Sequence, residues 1–194
     1  MSISSFLDYI SLEKKGSSHT LKAYQTNLNA FKTFIISQNN NQKIEYATYN
    51  EIRSWIVFLV NSGNSKRTVN TKISTLRSYY KFLLKTEIIK ISPLKEHRAL
   101  KTDIKVPLPF SREEMNKVII SDFFSNDYMG LIKLTIIKLL YYTGIRRSEL
   151  ISLKFQDINF SKGLIKVLGK RNKERLVPLL EDIKNQLQKL LDYQ

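Results

Sequence analysis

The 194-residue sequence contains no cysteine, which excludes disulfides and thiolate metal sites and fits a reducing, cytoplasmic setting. It has two histidines, His19 and His97, isolated and without ligand spacing, so no metal is expected. No glycine-rich phosphate loop occurs, and no nucleotide cofactor is implied. No apolar run approaches the roughly 20 residues of a membrane-spanning helix. The opening MSISSFLDYISLEKK has neither a basic start nor a long apolar stretch, which argues against a secretory signal. There is no internal repeat and no low-complexity tract. Acids are scarce: 17 Asp and Glu stand against 32 Lys and Arg, for a net charge of +15.

Hydrophobic residues make up 42% of the chain, enough for packed cores and too many for general disorder. The length suits two small domains or one of medium size. A surface this basic attracts polyanions; the other reading of the charge is solubility alone. The charge is uneven. Residues 1–102 hold 16 basic and 6 acidic side chains, and residues 103–194 hold 16 and 11, so the first half carries the larger positive excess.

Hydrophobic periodicity predicts four helices in the first half, over residues 3–13, 18–36, 50–61 and 66–86. Ser17 or Ser18 and Ser65 are natural N-caps. In the fourth helix Val69, Ile73, Leu76, Tyr80 and Leu83 form the inward stripe. At about 100° per residue, Arg67, Thr71, Ser74, Arg77, Ser78, Lys81 and Lys85 fall on the opposite face. Such a basic, hydroxyl-rich face either enters a DNA major groove or is simply solvated. The second helix adds Lys22, Gln25, Asn29 and Lys32 on its polar side. Ser92-Pro93 ends helical structure, and Pro107 and Pro109 hold an extended linker. The organisation expected is a helical domain over 1–100, a linker over 101–109 and a second part over 110–194.

The second part opens on a capping box, Ser111 to Glu114, starting a helix that runs to about residue 120. An apolar helix over 128–142 follows, with Tyr141 and Tyr142 expected in the core, stopped by Thr143-Gly144. A short amphipathic helix spans 146–154. GLIKVLG and ERLVPL alternate on either side of KRNK and read as a β-hairpin; residues 180–193 read as a last helix. Arg146 thus sits just past a glycine break, and Lys170 at the hairpin tip. Two cations on rigid elements suit a phosphodiester. The planar guanidinium donates bidentately to non-bridging oxygens, and an ammonium of lowered pKa can hand on a proton.

TGIRRSEL followed by GKRNKERLVPL resembles the tyrosine recombinase (phage integrase) family, most nearly its Xer branch. SKRTVNTKISTLRSYYKFLLKTEIIKISPL resembles the last helices of that family's core-binding domain. KVPLPFSREEM resembles its linker and the start of its catalytic domain. The resemblance implies a mainly α, two-domain chain: a SAM-like four-helix core-binding domain, then the α+β N-terminal part of an integrase catalytic domain. It implies that Arg146 clamps the scissile phosphate, that Glu149 braces it, and that Lys170 protonates the leaving 5′ oxygen. Glu149 could instead be a solvated surface ion pair. Arg171, Lys173 and Arg175 compete with Lys170 for the acid role, although a guanidinium does not readily give up a proton. Arg147 reads as a surface or backbone-contacting residue. The DNA-binding set is Arg67, Thr71, Ser74, Arg77, Lys81, Arg171 and Lys173. The partner implied is double-stranded DNA with inverted-repeat recombination sites, bound by a tetramer of the complete protein with itself or a partner recombinase. No cofactor is implied. Resolution of chromosome dimers, tied to cell division, or movement of a mobile element would be the task.

One departure matters. The family completes its site with His-x-x-Arg, a further His or Trp, and a tyrosine nucleophile after the hairpin. No His-x-x-Arg occurs in these residues, and Tyr193 lies on the wrong element for the nucleophile. The sequence therefore reads as the N-terminal two-thirds of a recombinase, expected to be inactive alone. A catalytically inactive DNA-binding remnant occupying recombination sites is the alternative, and a basic RNA- or ribosome-associated protein a third.

Overall fold

The computed structural model describes residues 3–38, 43–103, 106–120, 123–169 and 173–193, and the chain divides into two compact units, 1–105 and 106–194. The first is helical. It comprises α1 (Ile3–Leu12), α2 (Ser18–Gln38), a 3-10 turn (Ile44–Tyr46), α3 (Tyr49–Asn61) and α4 (Lys66–Lys85). Local chemistry sets each helix start. Ser17 Oγ accepts from the Thr20 N–H at 3.3 Å, and Ser65 Oγ from the Thr68 N–H at 3.2 Å. At α3 Thr48 and Glu51 form a reciprocal capping box, the Thr48 N–H donating to Glu51 Oε2 at 2.7 Å.

The expected stripe of α4 is buried throughout, and Thr75, Tyr79 and Phe82 widen it. It closes on Phe6, Leu28, Phe31, Ile52 and Trp55. Phe6 meets Tyr79 edge-on at 5.3 Å, and Phe31 lies 4.9 Å from Trp55, separations at which aromatic pairs contribute beyond their buried area. The Tyr80 hydroxyl satisfies the Ile44 carbonyl at 2.7 Å. The segment after α4 stays with this unit. Leu94 is buried, and the Asn70 side chain brackets Leu100, donating to its carbonyl and accepting from its N–H, both at 2.9 Å.

The second unit runs α5 (Arg112–Ile120), α6 (Tyr128–Thr143), α7 (Arg147–Ser152), a 3-10 turn (Phe155–Asp157), β1 (Ile158–Asn159), β2 (Leu164–Leu168), β3 (Glu174–Pro178) and α8 (Glu181–Asp192). The hairpin of β2 and β3 pairs Ile165 with Val177 and Val167 with Arg175. A third strand, β1, which the sequence reading did not foresee, adds to the free edge of β2 and completes an antiparallel sheet of order β1-β2-β3. Ile165, Val167 and Val177 from the sheet pack with Leu139, Ile145, Ile183, Leu187 and Leu190.

Tyr141 and Tyr142 are not in that core. They are 38% and 40% exposed and pack edge-on against each other, with ring centroids 5.0 Å apart. At the last turn of α6 the inward position passes to Ile145, beyond the glycine, and the two rings remain outside. Among the described residues no helix is long and apolar enough to cross a membrane.

Candidate phosphodiester site and nucleic-acid face

Gly144 ends α6 in the left-handed conformation at φ 61°, its N–H bonded to the Leu140 carbonyl at 3.1 Å. The left-handed cap ends the helix at a single residue, in a conformation that disfavours a side chain. Ile145 then anchors the turn in the core, and Arg146 follows as the N-cap of α7. Arginine is a poor choice there, because it has no side-chain acceptor for the exposed helix N–H groups. The start is held from the other direction: Glu149, three residues on, accepts the Arg146 backbone N–H at 2.8 Å. Local rules are broken chiefly at functional or strained positions.

Glu149 is buried, with a side chain only 2% exposed, so it is not a solvated surface ion pair. It sits between two guanidinium groups. Oε1 accepts from Arg146 Nη1 at 2.9 Å and from Arg175 Nη1 at 2.7 Å; Oε2 accepts from the Arg146 N–H and from Arg175 Nη2 at 2.8 Å. The Arg175 fork, then the Arg146 backbone N–H, outweigh desolvation and hold the carboxyl at about 2, down from 4.5. Two cations around one carboxylate leave the cluster a net positive charge. Arg146 presents it, since its side chain is 66% exposed.

Arg175 is the residue that sequence reasoning missed, having weighed it only as a rival to Lys170. The signal was present. Val177 faces inward on β3, and a period of two puts Arg175 on the same face, opposite Val167. A cation turned toward a core needs a carboxylate. Lys170 and Arg171 lie outside the described residues. Lys173 is exposed at the end of the hairpin, where its carbonyl accepts the Gly169 N–H at 2.7 Å. Arg147 is exposed.

In the first unit Arg67, Thr71, Ser74, Arg77 and Lys81 are all exposed along α4. Thr71 donates to the Arg67 carbonyl at 3.0 Å. Arg77 Nη2 is tied to the His97 carbonyl at 3.2 Å. His97 meets the Tyr49 hydroxyl at 3.5 Å, and burial, aided by the Arg77 charge, holds its pKa below the usual histidine value. Two further residues of the polar face are engaged as well. Lys85 pairs with Glu13 at 3.0 Å and lies over the Tyr9 ring, and Ser78 is half-buried near the Tyr24 hydroxyl. Asn27 of α2 takes a hydrogen bond from Lys72 at 3.4 Å and donates to buried Thr75 at 3.0 Å.

Comparison with known proteins decides the family. Residues 3–87 match the phage integrase N-terminal SAM-like domain, and residues 111–194 match the phage integrase family. The chain belongs to the phage integrase, or tyrosine recombinase, family. The integrase-family chain is 34% identical over 188 residues to the tyrosine recombinase XerC of Staphylococcus carnosus (strain TM300), covering 97% of this chain and 62% of that protein. It is 37% identical over 179 residues to that of Oceanobacillus iheyensis, covering 91% and 57%. The chain thus spans about three-fifths of the length of these curated relatives. In fold it is similar to the Tn1549 transposon integrase solved in complex with transposon right end DNA, with a TM-score of 0.75 at 17% identity, covering 99% of this chain and 65% of that one. It is likewise similar to a lambda integrase dimer bound to a COC′ core site, with a TM-score of 0.70 at 22% identity, covering 97% and 69%.

Proposed function

We propose that this chain supplies the DNA-binding and phosphate-clamping part of a site-specific recombinase that cuts and rejoins DNA through a 3′-phosphotyrosyl intermediate. The observation that carries the reading is Arg146, fixed at its backbone and one Nη by a buried carboxylate while most of its side chain remains open. A guanidinium held this way needs no reorganisation to meet charge developing on a phosphorane; one such donor contributes roughly 3–4 kcal/mol to transition-state stabilisation. Glu149 is the brace. Lys170, at the hairpin tip in sequence, is assigned the proton transfer to the leaving 5′ oxygen. Covalent transfer to tyrosine conserves the phosphodiester energy, so rejoining needs no nucleotide. These residues supply a clamp and an acid but no assigned nucleophile, and no strand cleavage is expected of them alone.

Arg67, Thr71, Ser74, Arg77 and Lys81 make α4 the DNA-reading helix, and Arg171 and Lys173 are assigned as further DNA contacts. The partner is duplex DNA with inverted half-sites, on which the complete protein assembles as a tetramer. Gel shifts with such duplexes, random duplex and structured RNA test the reading. Arg77→Glu with Lys81→Glu should weaken duplex binding sharply and flatten its salt dependence, by about 0.9 in log–log slope for each phosphate left without its cation. Affinity unchanged by that pair of substitutions removes α4 from the interface. Preference for structured RNA refutes the recombinase reading.

A further inference from the structure

Resting on that reading, we propose that Arg175 is a positioning residue: by occupying Glu149 it keeps the outer edge of Arg146 free for a phosphate. An ionised carboxylate offers about four acceptor sites. All four are filled here, two on each oxygen, by the Arg146 N–H, Arg146 Nη1 and the two Nη groups of Arg175. Arg175 takes the fork, one N–H to each oxygen. Arg146 is left a single side-chain bond to Oε1, and the rest of its guanidinium faces outward.

Removal of Arg175 opens one site on each oxygen. The fork is the stronger geometry for a guanidinium on a carboxylate. Arg146, three residues before Glu149 and already bonded to it, is then, among the described residues, the guanidinium in place to form that fork. It turns edge-on to Glu149 and withdraws the N–H groups that a phosphate would meet. The strand, not the helix, therefore sets how Arg146 is presented: β3 fixes Arg175 opposite Val167, on the inward side of the hairpin.

The test uses the full chain with 15N-labelled arginine and reads rotation and hydrogen exchange of the Arg146 Nη groups by NMR, without DNA. In Arg175→Ala the Arg146 signals become hindered and protected from exchange. In Arg175→Ala with Glu149→Gln, where no carboxylate remains to capture it, that protection is lost and the signals become at least as free as in the wild type, where Oε1 holds Nη1. Arg175→Lys, a single-point donor that keeps the charge and the fold, gives intermediate hindrance. A merely structural salt bridge would leave Arg146 unchanged or looser in Arg175→Ala and Arg175→Lys, and that result overturns the proposal. With duplex DNA added, Arg175→Ala lowers affinity to the level of Arg146→Ala, and the two together lower it no further; additive losses also overturn it. Wild-type Arg146 signals that ignore duplex DNA refute the recombinase reading separately, since the exchange measurement on the free chain stands by itself.

Discussion

Replacing Gly144 by alanine isolates the turn that delivers Arg146. At φ 61° the residue is left-handed, and a Cβ built there meets no atom within 4 Å. The substitution therefore carries no steric term from its neighbours, only the backbone term, about 1–2 kcal/mol for an L-residue in this region. Alanine also restricts the unfolded chain, which returns about 0.4–1 kcal/mol. The net loss is about 1 kcal/mol, or a fall in Tm of about 4–8 °C for a unit of this size. Asparagine tolerates the left-handed region, so Gly144→Asn should fall between wild type and alanine. Two probes separate the units. Trp55, the single tryptophan, is buried in the first unit, so its fluorescence follows only that unit, whereas far-UV circular dichroism follows both. Gly144→Ala should lower the transition seen by circular dichroism and leave that of Trp55 in place. An alanine variant as stable as wild type, or an asparagine variant less stable than alanine, refutes the argument from backbone strain.

Glu149 makes the second unit acid-sensitive. Its carboxyl is depressed from 4.5 to about 2 in the folded chain, so the unfolded chain binds the proton more readily. The stabilisation is complete above about pH 4.5 and is lost as pH falls toward 2, and Glu149→Gln should flatten this part of a urea-midpoint profile. Tyr79 and Tyr80 act in the opposite range. Burial raises both above their ordinary value of 10.0, so the first unit keeps their contribution below that pH and loses it as pH rises beyond. The Trp55 unfolding midpoint should fall above pH 10.0, and Tyr80→Phe should reduce that fall. At neutral pH the same variant should cost about 0.5–1.5 kcal/mol, the net worth of one hydrogen bond, because the Ile44 carbonyl then keeps only the longer bond from the Ala47 N–H at 3.4 Å.

Helix starts and stops were legible because capping is local. Ser17, Ser65 and Ser111 lie within three residues of the N–H groups they cap, so spacing alone finds them. The α4 stripe was legible for the same reason: a period of 3.6 separates Val69, Ile73, Leu76, Tyr80 and Leu83 from the basic face. Tyr141 and Tyr142 were misplaced because composition says that a ring can be buried, not how far a core extends along a helix. The strand β1 was missed because two residues carry no usable periodicity.

The sequence by itself determined the helical first half, the glycine stop before Arg146, the β-alternation of the hairpin and the excess of positive charge. All of these are written in neighbours a few residues apart or in composition. Only the tertiary structure decided that Glu149 is buried and that its partner is Arg175, 26 residues away on another element. It also decided that Arg77 is tied to the His97 carbonyl and that Lys85 is engaged by Glu13. Such pairings depend on which faces of separate elements meet, and that is settled by packing the whole core rather than by any stretch of chain.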